Sequence, residues 1–206
     1  MKKSIILISG RGSNLQSILE NIDRKSLLAV MTDNPNAKGL LIAKKYGIET
    51  SIVSKTTNKQ KFKDDLYQKI LFYKPDLIIL AGFMSILSEK IVNEFYPNIL
   101  NIHPSLLPKF AGLNTHSRVI EANEINHGCT VHIVDNGIDT GPIITQKALL
   151  IKKSDTPESL EKRVLTLEHT IYPEVIKWFL KNDPIIKNNV VINFKKLFFF
   201  CFFHYL

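Results

Sequence analysis

Short runs of aliphatic and β-branched residues alternate with longer amphipathic segments along the first half of this chain. Such alternation is typical of βα units, whose parallel strands pair in one sheet while the helices cover its faces. Strands are predicted at residues 4–9, 27–32, 50–53, 76–80 and 98–102, and helices at residues 14–21, 37–46, 58–73 and 88–96. The pattern therefore predicts an α/β fold with a mostly parallel central sheet.

The pattern changes in the second half of the chain. The segments "HGCTVHIV" and "GPIITQKALLI" are typical of strands joined by the loop "DNGIDT", and they predict antiparallel strands at an edge of the sheet. A long helix is predicted from about residue 157, with Pro173 kinking it and a buried stripe formed by Leu160, Val164, Leu167, Ile171, Val175 and Trp178. Together these elements predict a single Rossmann-like domain that ends in a long C-terminal helix.

This domain is predicted to span residues 1–183, with a tail of uncertain order at residues 184–206. Because the core elements are expected to end before the tail, we expect truncation after Asn189 to leave fold and activity largely intact. A chain of 206 residues is long enough for one α/β domain with a substantial core.

The composition favours a cytoplasmic protein. The apolar run in "MKKSIILISGRG" is shorter than a signal peptide needs, and the run Leu197–Phe203 is far too short to span a membrane. Cys129 and Cys201 offer no disulfide framework, as is typical of a reducing compartment. The net charge of +8 comes from scattered lysines without a nucleic-acid-binding motif, so neither a nucleic-acid nor a membrane partner is expected.

Three polar or glycine-rich segments follow predicted strands. "SGRGSN" follows the first strand, "AGFMS" the fourth and "NIHPS" the fifth. Open α/β sheets bind ligands in a crevice outside the carboxyl ends of their strands. We therefore expect these segments to converge on one site.

Asn101 and His103 lie two residues apart at the end of the fifth strand, and this spacing puts both side chains on one face. Pro104 biases His103 toward extended geometry, so His103 is expected to continue the strand. An amide and an imidazole in this position are either a catalytic pair or an ordinary polar strand end.

The segment "GRGSNLQ" lies between a strand and a helix, where glycines and a helix N-terminus can receive an anion. Leu15 stands where a dinucleotide-binding fingerprint has glycine, so a single phosphate fits better than a dinucleotide. Asp33 lies about where a ribose-binding acid would stand, which we interpret as coincidence. Ser13 or Asn14 as a plain helix N-cap is the alternative interpretation.

The remaining polar candidates are weak individually. His127 and His132 are five residues apart in a predicted strand and therefore on opposite faces, and no metal-binding spacing is present, so no metal is expected. His127, His169 and His204 are interpreted as structural or surface residues, while the roles of His116 and His132 stay open. Asp135 and Asp139 suit ordinary turn chemistry, and Glu168 is by default a solvated helix residue.

Five segments taken together resemble the folate-dependent formyltransferases. They are "ISGRGSNLQ", "PDLIILAGFMSILS", "LNIHPSLLPKFAGLNTH", "HGCTVHIVDNGIDTGPII" and "EHTIYP", in this order, and the likeness extends from about residue 4 to residue 180. The HPSLLP segment marks the superfamily. The GSN loop and the EH…P helix narrow the resemblance to the phosphoribosylglycinamide formyltransferases of purine synthesis.

The resemblance implies transfer of a formyl group from 10-formyltetrahydrofolate, a co-substrate, to the amine of 5'-phosphoribosylglycinamide, without a permanently bound cofactor or a metal. It implies a catalytic group of Asn101, His103 and Asp139. The ribonucleotide would contact Gly12, Ser13, Asn14 and Glu168, and the folate would contact Lys59, Met84, Ser85, Ile86, Leu87, Asn101 and Asp135. Its partners would be these small molecules only, with the protein a monomer or weak homodimer.

Chemistry agrees with this assignment. Attack of an amine on a formamide makes a tetrahedral oxyanion, which needs donors such as Asn101 and a protonated His103. Asp139 can hold the charge of the imidazole or orient a water that moves the proton. Two positions depart from the family pattern: Ser85 replaces a usual arginine, and Leu165 replaces a polar residue.

Three alternatives remain on the sequence alone. A 10-formyltetrahydrofolate hydrolase would share the catalytic group, but the phosphate loop argues against it. Methionyl-tRNA formyltransferase would need a second domain, and only about 20 residues follow the last predicted helix. A decayed, non-catalytic nucleotide- or folate-binding protein would explain Ser85 and Leu165 but not the intact catalytic group.

Overall fold

A computed structural model describes residues 2–194 of the chain. Its strands are β1 (Ser4–Ile8), β2 (Leu27–Thr32), β3 (Thr50–Ile52), β4 (Leu77–Leu80), β5 (Ile99–His103), β6 (Asn126–Ile133), β7 (Ile143–Leu150), β8 (Ile186–Lys187) and β9 (Val190–Val191). Its helices are α1 (Ser13–Asn21), α2 (Gly39–Lys45), α3 (Lys59–Tyr73), α4 (Glu89–Phe95), α5 (Thr115–Glu121) and α6 (Pro157–Phe179), with a short 3-10 turn at Arg24–Ser26.

The strands form one sheet in the order β3-β2-β1-β4-β5-β6-β7-β9-β8. The first five strands are parallel, while β6 runs antiparallel to β5 and β7 antiparallel to β6. The predicted α/β class, a mostly parallel sheet with antiparallel strands toward one edge and a long C-terminal helix, is confirmed.

Apolar side chains cover both faces of the sheet. All five residues of β1 are buried, as expected for a central strand with helices on both sides. Ile6 and Ile8 join the first core cluster with α1, α2 and α6, whereas Ile5 and Leu7 join the second with α3 and α4. This alternation fixes which strand residues turn toward each helical layer.

Helix α6 fastens the C-terminal part of the chain to the sheet. It begins at a capping box formed by Thr156 and Ser159, and it continues through Pro173 without a break in the helix. Tyr172 is fully buried, and its hydroxyl lies 2.8 Å from the carbonyl of Leu80 and 3.1 Å from that of Leu100. Of the predicted stripe, Leu167 and Trp178 are only partly buried. None of the helices in residues 2–194 is long and apolar enough to cross a membrane.

One helix and two strands lie outside the prediction. Helix α5 was missed because it has only seven residues and follows Asn114, which adopts a left-handed backbone conformation. Strands β8 and β9 extend the sheet beyond residue 183, and Val191 is buried in the first core cluster. The expectation that core elements end before Asn189 is therefore wrong. The Phe-rich part of the predicted tail, from residue 195, lies outside the described residues.

Candidate active site

The carboxyl end of β5 carries the two polar side chains that the sequence singled out. Asn101 is half-buried and His103 is buried. Leu100 and Ile102 turn to the other face and pack in the first core cluster. The antiparallel strand β6 places His132 opposite Asn101. The shared face predicted for Asn101 and His103 is therefore confirmed.

The ring of His103 lies between two protein oxygen atoms. Its Nε2 is 3.0 Å from the carbonyl oxygen of Phe110, and its Nδ1 is 3.2 Å from Oδ2 of Asp139. Phe110 presents this carbonyl from a left-handed conformation with φ of 57°, which is uncommon for a bulky residue. Both ring nitrogens are thus held by the protein, and the ring is fixed in one orientation.

Burial lowers the pKa of His103, and the Phe110 carbonyl and the Asp139 carboxylate only partly offset this effect. At pH 7 the neutral ring therefore predominates, whereas the sequence argument used a protonated ring. A proton taken up on Nδ1 would lie directly against Asp139. The geometry thus suits His103 to receive a proton during a reaction.

Asp139 is placed by the loop between β6 and β7. It adopts φ of 56°, and its Oδ2 accepts a hydrogen bond from the backbone N–H of Gly112 at 2.9 Å. Burial raises the pKa of Asp139, but the neighbouring rings of His132 and His103 and the hydrogen bond from the backbone N–H of Gly112 outweigh it, so the pKa lies below its ordinary value. Asp139 is therefore a carboxylate at neutral pH.

His132 is a site residue whose role the sequence left open. Its Nδ1 lies 3.0 Å from the carbonyl oxygen of Ile133, which requires a donor, so Nε2 is left as an acceptor. The amide Nδ2 of Asn101 donates to this Nε2 at 3.1 Å. One hydrogen of the amide therefore stays available to a substrate. In the sequence, the only signal for this contact is the pairing of residues on neighbouring strands. That pairing can be predicted only when the register of β5 and β6 is known.

The other histidines of this region form a separate pair. Nδ1 of His116, in α5, lies 3.0 Å from Nε2 of the buried His127. His127 and His132 therefore contact different elements, as expected for opposite faces of β6. Residues 2–194 contain no group of three or more His, Cys, Asp or Glu side chains arranged to hold a metal ion.

The loop between β1 and α1 is open to an anion. Gly12 occupies the N-cap position of α1 with φ of 83°, and no side chain caps the helix. The alternative that Ser13 or Asn14 is a plain N-cap is therefore wrong. A Cβ on Gly12 would lie 2.7 Å from the Cα of Gly39, so only glycine fits here. Because no side chain caps α1, the backbone N–H groups of its first turn stay available to a ligand.

Glu168 closes one side of this loop. It is buried rather than solvated, and Asn14 Nδ2 donates to its Oε2 at 2.6 Å. Burial raises the pKa of Glu168. Asn14 Oδ1 is buried and has no partner within residues 2–194. The two residues that the resemblance assigned to one substrate are thus in direct contact.

The segment after β4 is tied to its neighbours by hydrogen bonds. Ser85 Oγ donates to Asp33 Oδ2 at 2.6 Å, and Lys55 Nζ lies 2.9 Å from the same oxygen. Ser9 Oγ accepts a hydrogen bond from the backbone N–H of Met84 at 2.9 Å. Asp33 is therefore a buried anchor of this segment, and the hydroxyl of Ser85 is occupied by it.

The other residues assigned to folate differ in exposure. Met84 and Ile86 are exposed, whereas Leu87 is buried in the second core cluster. Asp135 Oδ1 accepts hydrogen bonds from Gly137 and Thr140 and so shapes its own loop. Lys59 begins α3 and is exposed, without a hydrogen-bond or ion-pair partner for its side chain in residues 2–194. No hydrogen bond or ion pair joins it to the other site residues in the described part of the chain.

Comparison with known proteins decides the family. The family model described as formyl transferase matches residues 2–176. The chain belongs to the formyl transferase family. This formyl transferase is 41% identical over 181 residues to "Phosphoribosylglycinamide formyltransferase" of Escherichia coli (strain K12), covering 85% of each chain.

Solved structures of this family share its architecture. Glycinamide ribonucleotide transformylase 1 from Symbiobacterium toebii superposes with a TM-score of 0.87 at 37% identity, covering 93% of each chain. The phosphoribosylglycinamide formyltransferase of Coxiella burnetii superposes with a TM-score of 0.83 at 42% identity, covering 91% of each chain. The resemblance found in the sequence is therefore confirmed along most of the chain.

Proposed function

We propose that this formyl transferase moves a formyl group from 10-formyltetrahydrofolate to the amine of 5'-phosphoribosylglycinamide. The products are formylglycinamide ribonucleotide and tetrahydrofolate, a step of purine (IMP) biosynthesis. The observation that carries the proposal is the grouping of Asn101, His103 and Asp139 on the same sheet edge as the open β1–α1 loop. Relatives with this activity in their names, about 40% identical over most of the chain, support it.

The crevice divides into two halves in this proposal. Gly12, Ser13 and Asn14 hold the phosphate of the ribonucleotide, and Glu168 contacts the same substrate. The folate lies against residues 84–87, the loop that carries Asp135, and Lys59. The exposed side chains of Met84 and Ile86 offer an apolar surface to its ring system.

The reaction begins with attack of the substrate amine on the formyl carbon. The carbonyl oxygen becomes an oxyanion, and the available N–H of Asn101 donates to it. His103 takes up the proton that the amine loses, and Asp139 stabilises the resulting imidazolium. Return of this proton to the folate nitrogen breaks the C–N bond and releases tetrahydrofolate. No covalent bond to the enzyme forms.

We propose that no permanently bound cofactor or metal takes part, because these three side chains supply the donor and the proton carrier. The partners are the two small-molecule substrates, without nucleic acid. The protein acts in the cytoplasm as a monomer or weak homodimer.

The test measures the formation of tetrahydrofolate by the purified protein. The protein is given 10-formyltetrahydrofolate with and without the ribonucleotide, before and after exhaustive chelation of metal ions. We expect tetrahydrofolate to form only when both substrates are present, and chelation to have no effect. Tetrahydrofolate released with formate in the absence of ribonucleotide would indicate the hydrolase instead. A lack of any turnover, with folate binding retained, would indicate a non-catalytic binding protein, and a need for added zinc would contradict the mechanism.

A further inference from the structure

Arg11 lies within the β1–α1 loop, between Gly10 and Gly12. Its guanidinium forms an ion pair with Glu161 of α6. The side chain of Arg11 is 75% exposed, and that of Glu161 is 40% exposed. An ion pair this exposed contributes little to stability, so its partners can be exchanged at small cost.

Helix α6 faces the loop with two carboxyl groups, Glu161 and Glu168. They are seven residues apart, two helical turns, and therefore lie on the same side of α6. Glu161 contacts Arg11, and Glu168 contacts Asn14, so the two pairs bracket Gly12 and Ser13. The negative charge of Glu161 also contributes to the raised pKa of Glu168.

A phosphate monoester bound to the backbone amides of the loop would place its negative charge between Glu161 and Glu168. Burial favours the neutral form of Glu168, which reduces its repulsion of the phosphate, and Asn14 donates a hydrogen bond to it. Arg11 is the cation that contacts Glu161. A guanidinium has five N–H donors in a fixed fork, so it can hold a carboxylate and a phosphate at once.

We propose that Arg11 binds the phosphate of the ribonucleotide and that Glu161 holds the guanidinium at the edge of the loop until the phosphate arrives. The inference rests on the proposed function, and it adds a charged side chain to a phosphate site otherwise made of backbone amides and small polar groups. Arg11 then acts in binding, without a part in the formyl transfer itself.

Arg11→Ala and Glu161→Gln test the proposal because both break the same ion pair, but only the first removes the cation. We expect Arg11→Ala to raise the KM for the ribonucleotide about tenfold with kcat and the folate KM unchanged. Glu161→Gln loses the residue that positions the guanidinium but keeps the cation, so it should raise the ribonucleotide KM far less than Arg11→Ala does. Lys162→Ala is the matched control: it removes one positive charge from the adjacent position of α6 and should leave the KM unchanged.

Equal increases in KM for Arg11→Ala and Glu161→Gln would show that the pair only tethers the loop to α6 and would overturn the proposal. An unchanged KM in Arg11→Ala would overturn it as well. Direct titration of wild type and Arg11→Ala with inorganic phosphate measures the same contact without turnover, so a failed formyl-transfer assay would count only against the proposed function. We expect weaker phosphate binding by Arg11→Ala, and equal or undetectable binding by both proteins would refute the role of Arg11.

Discussion

Asn101, His103 and Asp139 are each held by at least one hydrogen bond from within the protein, so the three side chains are oriented before a substrate arrives. Asn101 is oriented by His132, His103 by the carbonyl of Phe110, and Asp139 by the backbone N–H of Gly112. Such orientation lowers the reorganisation needed as charge develops on the substrate. His132 belongs to the neighbouring strand β6, whereas Phe110 and Gly112 lie in one loop between β5 and α5.

The buried His127 should make the stability of the protein depend on pH. Burial and the neighbouring His116 and His103 lower the pKa of His127 to about 4. An unfolded chain takes up this proton near pH 6.5, so stability is complete above pH 6.5 and is lost as the pH falls toward 4. We expect His127→Gln to reduce the loss of unfolding free energy between pH 7 and pH 5 by about 2 kcal/mol. Urea unfolding of the wild type and of His127→Gln at pH 7 and pH 5 measures this difference. An identical loss of unfolding free energy in the two proteins would contradict this account.

The sequence predicted individual site residues where spacing alone determines a neighbour. Asn101 and His103 share a face because they are two residues apart in one strand, and this holds whatever the strand pairs with. His132 was undecided because its contact depends on the register between two strands. The burial of Glu168 depends on packing of α6 against α1, which helical periodicity does not specify.

At the scale of elements, the β1–α1 loop and the N-terminus of α1 depend on close contact with α2. The Cα of Gly39 lies against Gly12, and the backbone N–H of Gly39 donates to the carbonyl of Gly10. Two helices therefore meet through glycine backbone at the proposed phosphate site. The sequence predicted the loop from its glycines, but the contact with Gly39 was not visible in it.

Replacement of Gly12 tests this packing. Gly12→Ala puts a Cβ 2.7 Å from the Cα of Gly39 in a residue with φ of 83°, so both a clash and a left-handed alanine are expected. The left-handed conformation alone costs about 1–2 kcal/mol. We expect a lower melting temperature and a higher ribonucleotide KM. Gly10→Ala is the control, since its Cβ meets no atom within 4 Å, and equal melting temperatures for both variants would count against the packing argument.

At the scale of the whole molecule, the site exists because the ends of β1, β4 and β5 lie side by side in the sheet. This convergence was predictable, since parallel strands joined by right-handed crossovers bring their carboxyl ends to one edge. The strands β8 and β9 were not predictable, because two-residue strands have no periodicity of their own. They form because β9 pairs with the free edge of β7 and β8 pairs with β9.

Truncation measures how far the folded unit extends. A chain that ends after Asn189 loses the buried Val191 and the contact of Phe194 with Trp178. Loss of a buried valine costs roughly 1.5–3 kcal/mol. We expect its melting temperature to fall by about 5 °C relative to a chain that ends after Phe194. Equal melting temperatures would place the end of the stable domain before β9.

The rate of a His103→Ala enzyme tests the central claim, that Asn101, His103 and Asp139 carry out the formyl transfer. His103 acts in the transition state in this account, so kcat should fall while the KM of each substrate changes little. Loss of a general acid–base group lowers kcat by roughly 10²–10⁴-fold. Steady-state kinetics of the purified variant, with its fold checked by circular dichroism, gives the answer. A folded His103→Ala enzyme with kcat close to that of the wild type would contradict the account.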